Sequence, residues 1–207
     1  MGDFSEGMIM IVKENKYGFA NETGNILIPI EYDYSGKLLL FKNALTIAEK
    51  NKKQGLIDKT GKYVTPKDFD HIVLFSEGLA AVQRKDKWGF IDIKLKLQIP
   101  YMYQTASNFN ECIAKVSKND HVGFINRAGK TVIAFEFDEA DNFMNGLCPV
   151  IIENKSGLID LSGTFIVACE LDVIEKYNGT ILKFEKNSKI AYYNILTRSY
   201  IWKENEF

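Results

Sequence analysis

Basic side chains recur at two fixed places in the sequence. The first row contains Lys13, Lys50, Arg84, Lys118 and Lys186, and the second row, three residues further along, contains Lys16, Lys53, Lys87, Lys155 and Lys189. Ile152 interrupts the first row, and His121 takes one place in the second. If the rows align in the fold, they form a positive ladder suited to an acidic protein surface, an anionic polysaccharide or single-stranded nucleic acid. Solvated turns whose lysines prevent edge pairing of strands give the same pattern.

Carboxylates form a second regular column. Its members are Asp33, Asp70, Asp138 and Asp172, with Gln104 breaking the order and further acids around Asp138. Carboxylates in such a column are candidates for acid–base chemistry or for binding a hard metal ion. No pair stands out as an acid and its partner, however, and capping of turns and strand ends predicts the same residues.

Histidine and cysteine complete the inventory of reactive groups. His71 and His121 have no ligand spacing to each other or to a cysteine. The three cysteines, Cys112, Cys148 and Cys169, are irregularly spaced and include no CxxC motif. No phosphate-binding loop, dinucleotide motif or nucleophile elbow is present. We therefore predict no catalytic residue, no metal site and no cofactor.

The elements that position these side chains follow from an internal repeat. A phenylalanine is followed 14 residues later by a glycine in Phe4/Gly18, Phe41/Gly55, Phe75/Gly89, Phe109/Gly123 and Phe143/Gly157, and more weakly in Tyr177/Ala191. The period is 34 residues, apart from a three-residue insertion around Tyr34-Ser35-Gly36-Lys37. We predict a single repeat domain over 4–207, with units 4–40, 41–74, 75–108, 109–142, 143–176 and 177–207.

Each unit is predicted to contain three antiparallel strands. Short β-branched or aromatic segments lie between turn residues at fixed positions. The basic rows flank the turn between the first two strands, and the glycine of the second strand permits a close approach. An Asp or Asn three residues after that glycine begins an Asx-type turn into the third strand. The recurring aromatic residues are predicted to be core, with a stacking platform for bases or sugars as the alternative.

Three segments carry a resemblance to a known family. They are Lys87-Trp88-Gly89-Phe90-Ile91-Asp92, the stretch from Gln54 to Lys62, and Phe75-Ser76-Glu77-Gly78-Leu79-Ala80. The sequence resembles the WG repeat, a bacterial β-rich repeat family, over nearly its whole length. The signature Trp-Gly is present once, at Trp88-Gly89. The resemblance implies a β-repeat module without enzymatic activity, and it supplies no catalytic residue.

The units must stack, because three strands cannot bury their own face. We predict an all-β fold of six tandem units, arranged as an open, twisted array in which the degenerate sixth unit acts as a cap. A closed six-bladed, propeller-like ring is the alternative.

Composition limits the classes of function. Lys plus Arg numbers 26 against 27 Asp plus Glu, so affinity for nucleic acid or an acidic membrane would depend on how the charges are arranged. The sequence shows no secretory signal and no apolar run long enough to cross a membrane. With the unpaired cysteines, this predicts a cytoplasmic protein with no membrane partner.

Three functional hypotheses follow. The first is a non-enzymatic binding or scaffold module that recognises a macromolecule, above all a protein. The second is recognition of an anionic polymer through the two basic rows, which are the candidate partner-binding residues. The third is a hydrolase that uses carboxylates of the Asp column. The sequence identifies neither the partner nor the oligomeric state.

Overall fold

The computed structural model describes residues 4–207, and all regular structure in this range is β-strand. The chain divides between Tyr103 and Gln104 into two compact units. The predicted all-β class and the six tandem sheets of antiparallel strands are confirmed, and no sheet within 4–207 closes on itself. That part of the chain also contains no helix that could span a membrane.

The first compact unit contains three sheets. Its strands are β1 (Met8–Lys13), β2 (Lys16–Asn21), β3 (Ile26–Asp33), β4 (Leu45–Lys50), β5 (Lys53–Asp58), β6 (His71–Ile72), β7 (Leu79–Arg84), β8 (Lys87–Asp92) and β9 (Leu97–Tyr103). The first sheet has the order β1-β2-β3, the second is the pair β4-β5, and the third has the order β6-β7-β8-β9.

The second compact unit also contains three sheets. Its strands are β10 (Thr105–Ala106), β11 (Ile113–Lys118), β12 (His121–Asn126), β13 (Thr131–Phe137), β14 (Glu139–Ala140), β15 (Leu147–Ile152), β16 (Lys155–Asp160), β17 (Phe165–Leu171), β18 (Val173–Lys176), β19 (Ile181–Lys186), β20 (Lys189–Asn194) and β21 (Ser199–Lys203). The fourth, fifth and sixth sheets each have four strands in sequence order.

The predicted Asx turns join the second and third strands. In the second sheet the Asp58 carboxylate accepts hydrogen bonds from the amides of Thr60, at 2.8 Å, and Lys62, at 3.1 Å. Gly61 in this turn has a φ of 81°, a conformation that favours glycine. The corresponding position of the third sheet is Leu95, which adopts a φ of 64° despite its side chain.

The glycine of the second strand permits the predicted close approach. A Cβ atom on Gly89 would lie 2.6 Å from the carbonyl oxygen of Ile99. The pairing of β8 with β9 shifts register around this glycine, which is the pattern of a β-bulge. In the sixth sheet, where Ala191 replaces the glycine, the shift across this position is absent, and only the next one, between Tyr192 and Tyr193, is present.

The predicted three-strand unit is incomplete in two ways. In the third to sixth sheets a short extra strand, supplied by the preceding repeat, pairs with the first hairpin strand, as His71 does with Gln83. In the second sheet the third strand is reduced to isolated bridges from Gln54 to Phe69 and from Ile57 to Tyr63. Each sheet that has the extra strand therefore begins before the phenylalanine that opens its sequence repeat.

The hydrophobic core lies between consecutive sheets of each unit. Phe41 packs edge-on against Phe19 of the preceding sheet, with ring centroids 4.9 Å apart. The prediction of a buried aromatic column is wrong at its two ends, because Phe4 is 53% exposed and Tyr177 is 62% exposed. Phe4 lies outside the core cluster between the first two sheets, and Tyr177 packs on Tyr192.

Candidate functional site

The predicted basic rows lie at the ends of the six hairpins, as expected. The facing pairs are Lys13/Lys16, Lys50/Lys53, Arg84/Lys87, Lys118/His121, Ile152/Lys155 and Lys186/Lys189. Two residues with positive φ separate each pair; Glu14 and Asn15, at 53° and 59°, are an example. This is the two-residue turn that matches the twist of a β-hairpin.

Lysines of the second row bind carboxylates at the end of their own repeat. Lys16 pairs with Asp33, and Lys53 pairs with Asp70. The Lys155 ammonium lies 2.6 Å from Asp172. In the last sheet Glu206 replaces the aspartate, 2.7 Å from the ammonium of Lys189, and this substitute extends the pattern beyond the predicted Asp column.

The second oxygen of each aspartate holds the hairpin of the next sheet. Asp33 accepts a hydrogen bond from the amide of Asn51 at 2.6 Å, and Asp172 accepts one from the amide of Asn187 at 2.7 Å. Gln104 makes the equivalent contact with the amide of Asp120, at 2.9 Å. We call this arrangement of lysine, carboxylate and turn amide the turn latch. The Lys155 ammonium and then the Asn187 amide hold the pKa of Asp172 below its usual value.

Most of the first row is also paired. Arg84 donates to both carboxylate oxygens of Asp68, at 2.7 and 2.8 Å, and its guanidinium lies over the ring of Phe69. Lys186 lies 2.9 Å from Glu170, and Lys50 lies 3.3 Å from Glu31. The Lys13 ammonium is 3.9 Å from Glu14. Within residues 4–207, Lys87 and Lys118 are the row members without a carboxylate at ion-pair distance.

The repeat is broken in the second sheet, which has no short strand on the outer edge of β4. The insertion around Tyr34-Ser35-Gly36-Lys37 lies where the chain would otherwise supply one. The hydroxyl of Tyr17, from the first sheet, makes hydrogen bonds at this edge instead. It donates to the carbonyl oxygen of Ile47 at 2.9 Å and accepts from the amide of Glu49 at 3.1 Å.

A cleft of about 520 Å³ lies beside this edge. Its lining residues are Asp33, Ser35, Lys37, Leu39, Ile47, Glu49, Gln54, His71, Ile72, Val73 and Trp88. The Gln54 side chain fixes one wall of the cleft. Its Nε2 donates to the Glu49 carboxylate at 2.9 Å, and its Oε1 accepts from the backbone N–H of Ile72 at 3.1 Å. The rings of His71 and Trp88 are nearly parallel, with centroids 6.2 Å apart.

A second depression, of about 410 Å³, continues from the cleft. It shares Leu39 and Ile47 with the cleft and is lined further by Ser5, Leu38, Leu40, Phe41, Lys42, Thr46 and Leu74. We call it the leucine groove. Leu38 is 48% exposed and Leu40 is 40% exposed. Exposed apolar residues grouped along a concave surface are typical of interaction sites.

We also located the metal-ligating side chains, the cysteine thiols and the Asp-column carboxylates. Residues 4–207 contain no cluster of three or more His, Cys, Asp or Glu side chains that could hold a metal ion. Cys148 is buried, and burial raises the pKa of its thiol to about 12. The Asp-column carboxylates whose pKa departs from its usual value, Asp33, Asp70 and Asp172, all have it lowered.

Sequence reasoning did not find the cleft or the leucine groove. None of the ten predicted partner-binding residues lines either depression. The available signal was the departure from the repeat: the insertion after Asp33, the single Trp-Gly at Trp88, and the run Leu38-Leu39-Leu40. Residues that recur in every repeat indicate packing that all the sheets share. An interruption of the repeat indicates a feature that is specific to one sheet.

The tandem sheets, joined through turn latches, define a tandem β-repeat protein. Residues 17–53, 55–88, 88–120 and 123–155 match the WG containing repeat family. These segments make up more than half of the sequence, and the chain belongs to the WG containing repeat family. No curated protein matches the sequence.

Solved structures with a similar fold have very different sequences. A eukaryotic initiation factor is similar with a TM-score of 0.63 at 9% identity, over 98% of this chain and 65% of that chain. Hsv2p of Kluyveromyces lactis gives 0.54 at 8% identity, over 94% and 74%. BamB from Moraxella catarrhalis gives 0.50 at 8% identity, over 91% and 70%. Hsv2 and BamB are β-propeller proteins, and at these identities the likeness concerns the fold alone.

Proposed function

We propose that this protein is a non-enzymatic binding module that recognises a protein partner through the cleft and the leucine groove of its first compact unit. The observation that carries the proposal is the edge of the second sheet with which no short strand pairs. There an apolar groove with exposed Leu38 and Leu40 continues into a cleft with polar walls.

The chemistry of this surface favours a protein as the partner. Protein interfaces combine an apolar centre with a polar rim. The leucine groove supplies the apolar centre, and Glu49, Gln54 and His71 of the cleft supply hydrogen-bonding groups beside it. Aromatic residues such as Trp88 are enriched where proteins bind one another.

The hydrogen bonds of three Asp-column carboxylates do not favour their use as general acids. A general acid that works near neutral pH needs a raised pKa. Asp33, Asp70 and Asp172 instead have lowered pKa values, because each accepts hydrogen bonds from a lysine and from a backbone amide. A hydrolase that uses one of these three residues as its general acid is therefore disfavoured.

Binding of an anionic polymer through the basic rows stays a prediction. Eight of the ten row members already have a carboxylate within ion-pair distance. Paired charges attract a polyanion less than free ones, because the nearby carboxylates offset the field. The residues that would test this function most directly are Lys87 and Lys118.

The test is affinity capture from native lysate with three variants beside the wild type. The groove variant is Leu38→Asp with Leu40→Asp. Its matched control is Leu161→Asp with Leu196→Asp, which changes two leucines that are 40% and 61% exposed in the second compact unit. The third variant, Lys87→Glu with Lys118→Glu, reports on polyanions.

We expect a protein that is captured by the wild type and the control, survives a high-salt wash, and is lost from the groove variant. Capture of that protein by the groove variant at the wild-type level would contradict the proposed site. Nucleic acid or polysaccharide that is lost at high salt and from the Lys87/Lys118 variant would favour the anionic-polymer function instead.

A further inference from the structure

One position of the first hairpin strand is fully buried in every sheet except the first. It lies seven residues after the aromatic residue that opens each repeat, and the buried residues there are Ala48, Val82, Val116, Val150 and Phe184. Within a compact unit the preceding sheet covers this position: Ala48 shares a core cluster with Phe19, and Phe184 shares one with Leu158. The residue of the first sheet at this position is Ile11, which is only half-buried.

The side of the first sheet that carries Ile11 is therefore an apolar surface that the described chain leaves partly open. Ile9 lies on the same side, because alternate residues of a strand do, and it is also half-buried. Phe4 opens the first repeat and is 53% exposed, whereas Phe41 and Phe143, which open later repeats, are buried. We call Phe4, Ile9 and Ile11 the leading face.

Within a compact unit the opposite side of a sheet receives the sheet that follows. Phe19 and Phe124 lie on this side in the first and fourth sheets, and each contacts the phenylalanine that opens the next repeat, with ring centroids 4.9 and 5.0 Å apart. The equivalent residue of the sixth sheet is Tyr192, which pairs with Trp202 on the neighbouring strand. Tyr177 packs on Tyr192, but Tyr177 and Trp202 are themselves 62% and 49% exposed. We call Tyr177, Tyr192 and Trp202 the trailing face.

The turn latch is incomplete at the same two faces. A complete latch joins an acceptor at the end of one repeat to a turn amide of the next sheet, as Asp33 accepts from the amide of Asn51. Glu206 has the acceptor position of the sixth repeat; its Oε2 binds Lys189, and its Oε1 has no partner among residues 4–207. The amide of the first sheet that corresponds to Asn51 is that of Glu14, and it donates to no atom in that range. Each face therefore carries one half of a latch.

The two faces are complementary, and neither is polar. In repeat proteins a sheet side that no other unit covers is normally polar, which keeps the stack soluble. Exposed apolar surface on both of these sides is instead typical of an interaction site. The leading face supplies an opening phenylalanine and a free turn amide. The trailing face supplies the aromatic residues and the acceptor that such a phenylalanine and amide contact within the chain. Each face therefore matches the other face on a second copy.

We propose that copies of this chain associate head to tail, with the leading face of one protomer packed on the trailing face of its partner. Phe4 of one protomer packs on Tyr192 and Trp202 of its partner, as Phe41 packs on Phe19 within the chain. The free carboxylate oxygen of the sixth repeat accepts a hydrogen bond from the free turn amide of the first sheet and completes the latch between protomers.

The contact between protomers lacks one feature of the junctions within the chain. Glu6 accepts hydrogen bonds from the amides of Asn43 and Ala44 in the second sheet, whereas the sixth repeat has Gly179 in the place of Glu6. We therefore expect reversible association that depends on protein concentration. Because the two faces differ, every added protomer leaves one face free, and association continues until a ring closes. The contact involves neither the cleft nor the leucine groove, so its failure would leave the proposed function untouched.

The test is sedimentation velocity of the intact chain over about a hundredfold range of concentration, because mass action favours the associated state as concentration rises. The leading-face variant is Phe4→Asp with Ile11→Asp, and the trailing-face variant is Tyr177→Asp with Trp202→Asp. We expect the average mass of the wild type to rise with concentration, and each face variant to associate at least about tenfold more weakly.

The matched control is Ile93→Asp with Met102→Asp, which changes two apolar residues of the third repeat that are 71% and 43% exposed. It should associate like the wild type. Glu206→Lys changes a side chain that is 87% exposed, so it tests the latch without risk to the core, and it should weaken association about five- to tenfold.

The decisive sample is an equimolar mixture of the two face variants. One variant retains the trailing face and the other retains the leading face, so a head-to-tail contact predicts a mixed dimer although neither variant associates alone. A mixed dimer requires both variants to be folded, and it therefore excludes misfolding as the reason why each variant fails alone.

A wild-type protein that is monomeric at every concentration would overturn the inference, as would association that is unchanged in both face variants or in Glu206→Lys. Association that is lost in only one face variant would refute the head-to-tail contact and assign the interface to two copies of that same face. A mixture that forms no dimer, although both variants keep the wild-type circular dichroism spectrum, would also refute it.

Discussion

Replacing Tyr17 with phenylalanine isolates the contact that substitutes for a strand on the second sheet. Tyr17 is fully buried, and its hydroxyl is the hydrogen-bond partner of the Ile47 carbonyl and the Glu49 amide. Burial raises the pKa of this phenol, so the hydroxyl stays protonated at all ordinary pH values. Tyr17→Phe keeps the ring and removes only the oxygen.

The expected loss of stability in Tyr17→Phe follows from the Ile47 carbonyl and the Glu49 amide, which both lose their hydrogen-bond partner. A buried backbone group that loses its partner costs about 1–3 kcal/mol. Ile47 and Glu49 border the cleft, so water can replace part of what is lost. We therefore expect Tyr17→Phe to lower the free energy of unfolding by about 2–4 kcal/mol.

Two measurements check this expectation. Urea unfolding followed by circular dichroism gives the change in stability by linear extrapolation. Hydrogen exchange gives a local signal, because the Glu49 amide should exchange at least tenfold faster in Tyr17→Phe.

Tyr63→Phe is the matched control. Tyr63 belongs to the same compact unit, and its hydroxyl is buried without a hydrogen-bond partner. Its removal should leave stability unchanged or slightly higher, with no effect on Glu49 exchange. A Tyr17→Phe protein as stable as the wild type, with normal protection of the Glu49 amide, would refute the idea that Tyr17 takes the place of a strand.

Two further predictions concern the repeat itself. Gly89→Ala should lower the free energy of unfolding by about 1–3 kcal/mol, because its Cβ would meet backbone; Gly179→Ala, with open space at its Cβ, should be neutral. The pKa of Asp172 is lowered by Lys155, so this pair stabilises the fold above the usual carboxyl pKa and is lost as pH falls through the folded value. The stability difference between wild type and Asp172→Asn, measured by urea unfolding, should therefore shrink on acidification; a constant difference would contradict the latch.

The hairpins were predictable because their signals are local. The glycine 14 residues after each phenylalanine and the polar four-residue stretch before it place the turn to within a residue, and the basic rows lie where the sequence predicts them. The Asx turns were predictable for the same reason, since Asp58 bonds to amides only two and four residues away.

The partners of the basic rows were harder to predict. Lys16 and Asp33 belong to two columns that are each visible in the sequence, but nothing in the sequence connects one column with the other. Their contact depends on the pairing of β2 with β3, which brings together residues 17 apart. A charge column has functional meaning only once its counter-charges are known, and these lie on another strand.

The sequence periodicity could not predict the cleft and the leucine groove, because both lie where no short strand pairs with β4. The insertion at Ser35 was visible, but its effect on the edge of β4 required knowledge of the short strands β6, β10, β14 and β18. These strands are two to four residues long, too short for an alternating pattern to identify.

The short strands also determine how the protein would respond to tension. β14 and β18 each come from one repeat and pair with a strand in the sheet of the following repeat. Consecutive sheets are therefore linked by strand pairing as well as by the connecting chain. A stretching force must peel the short strand from its hairpin before the two sheets can separate. The second sheet lacks this pairing on β4, so in the first compact unit the junction between the first two sheets is where a pulled chain should yield first.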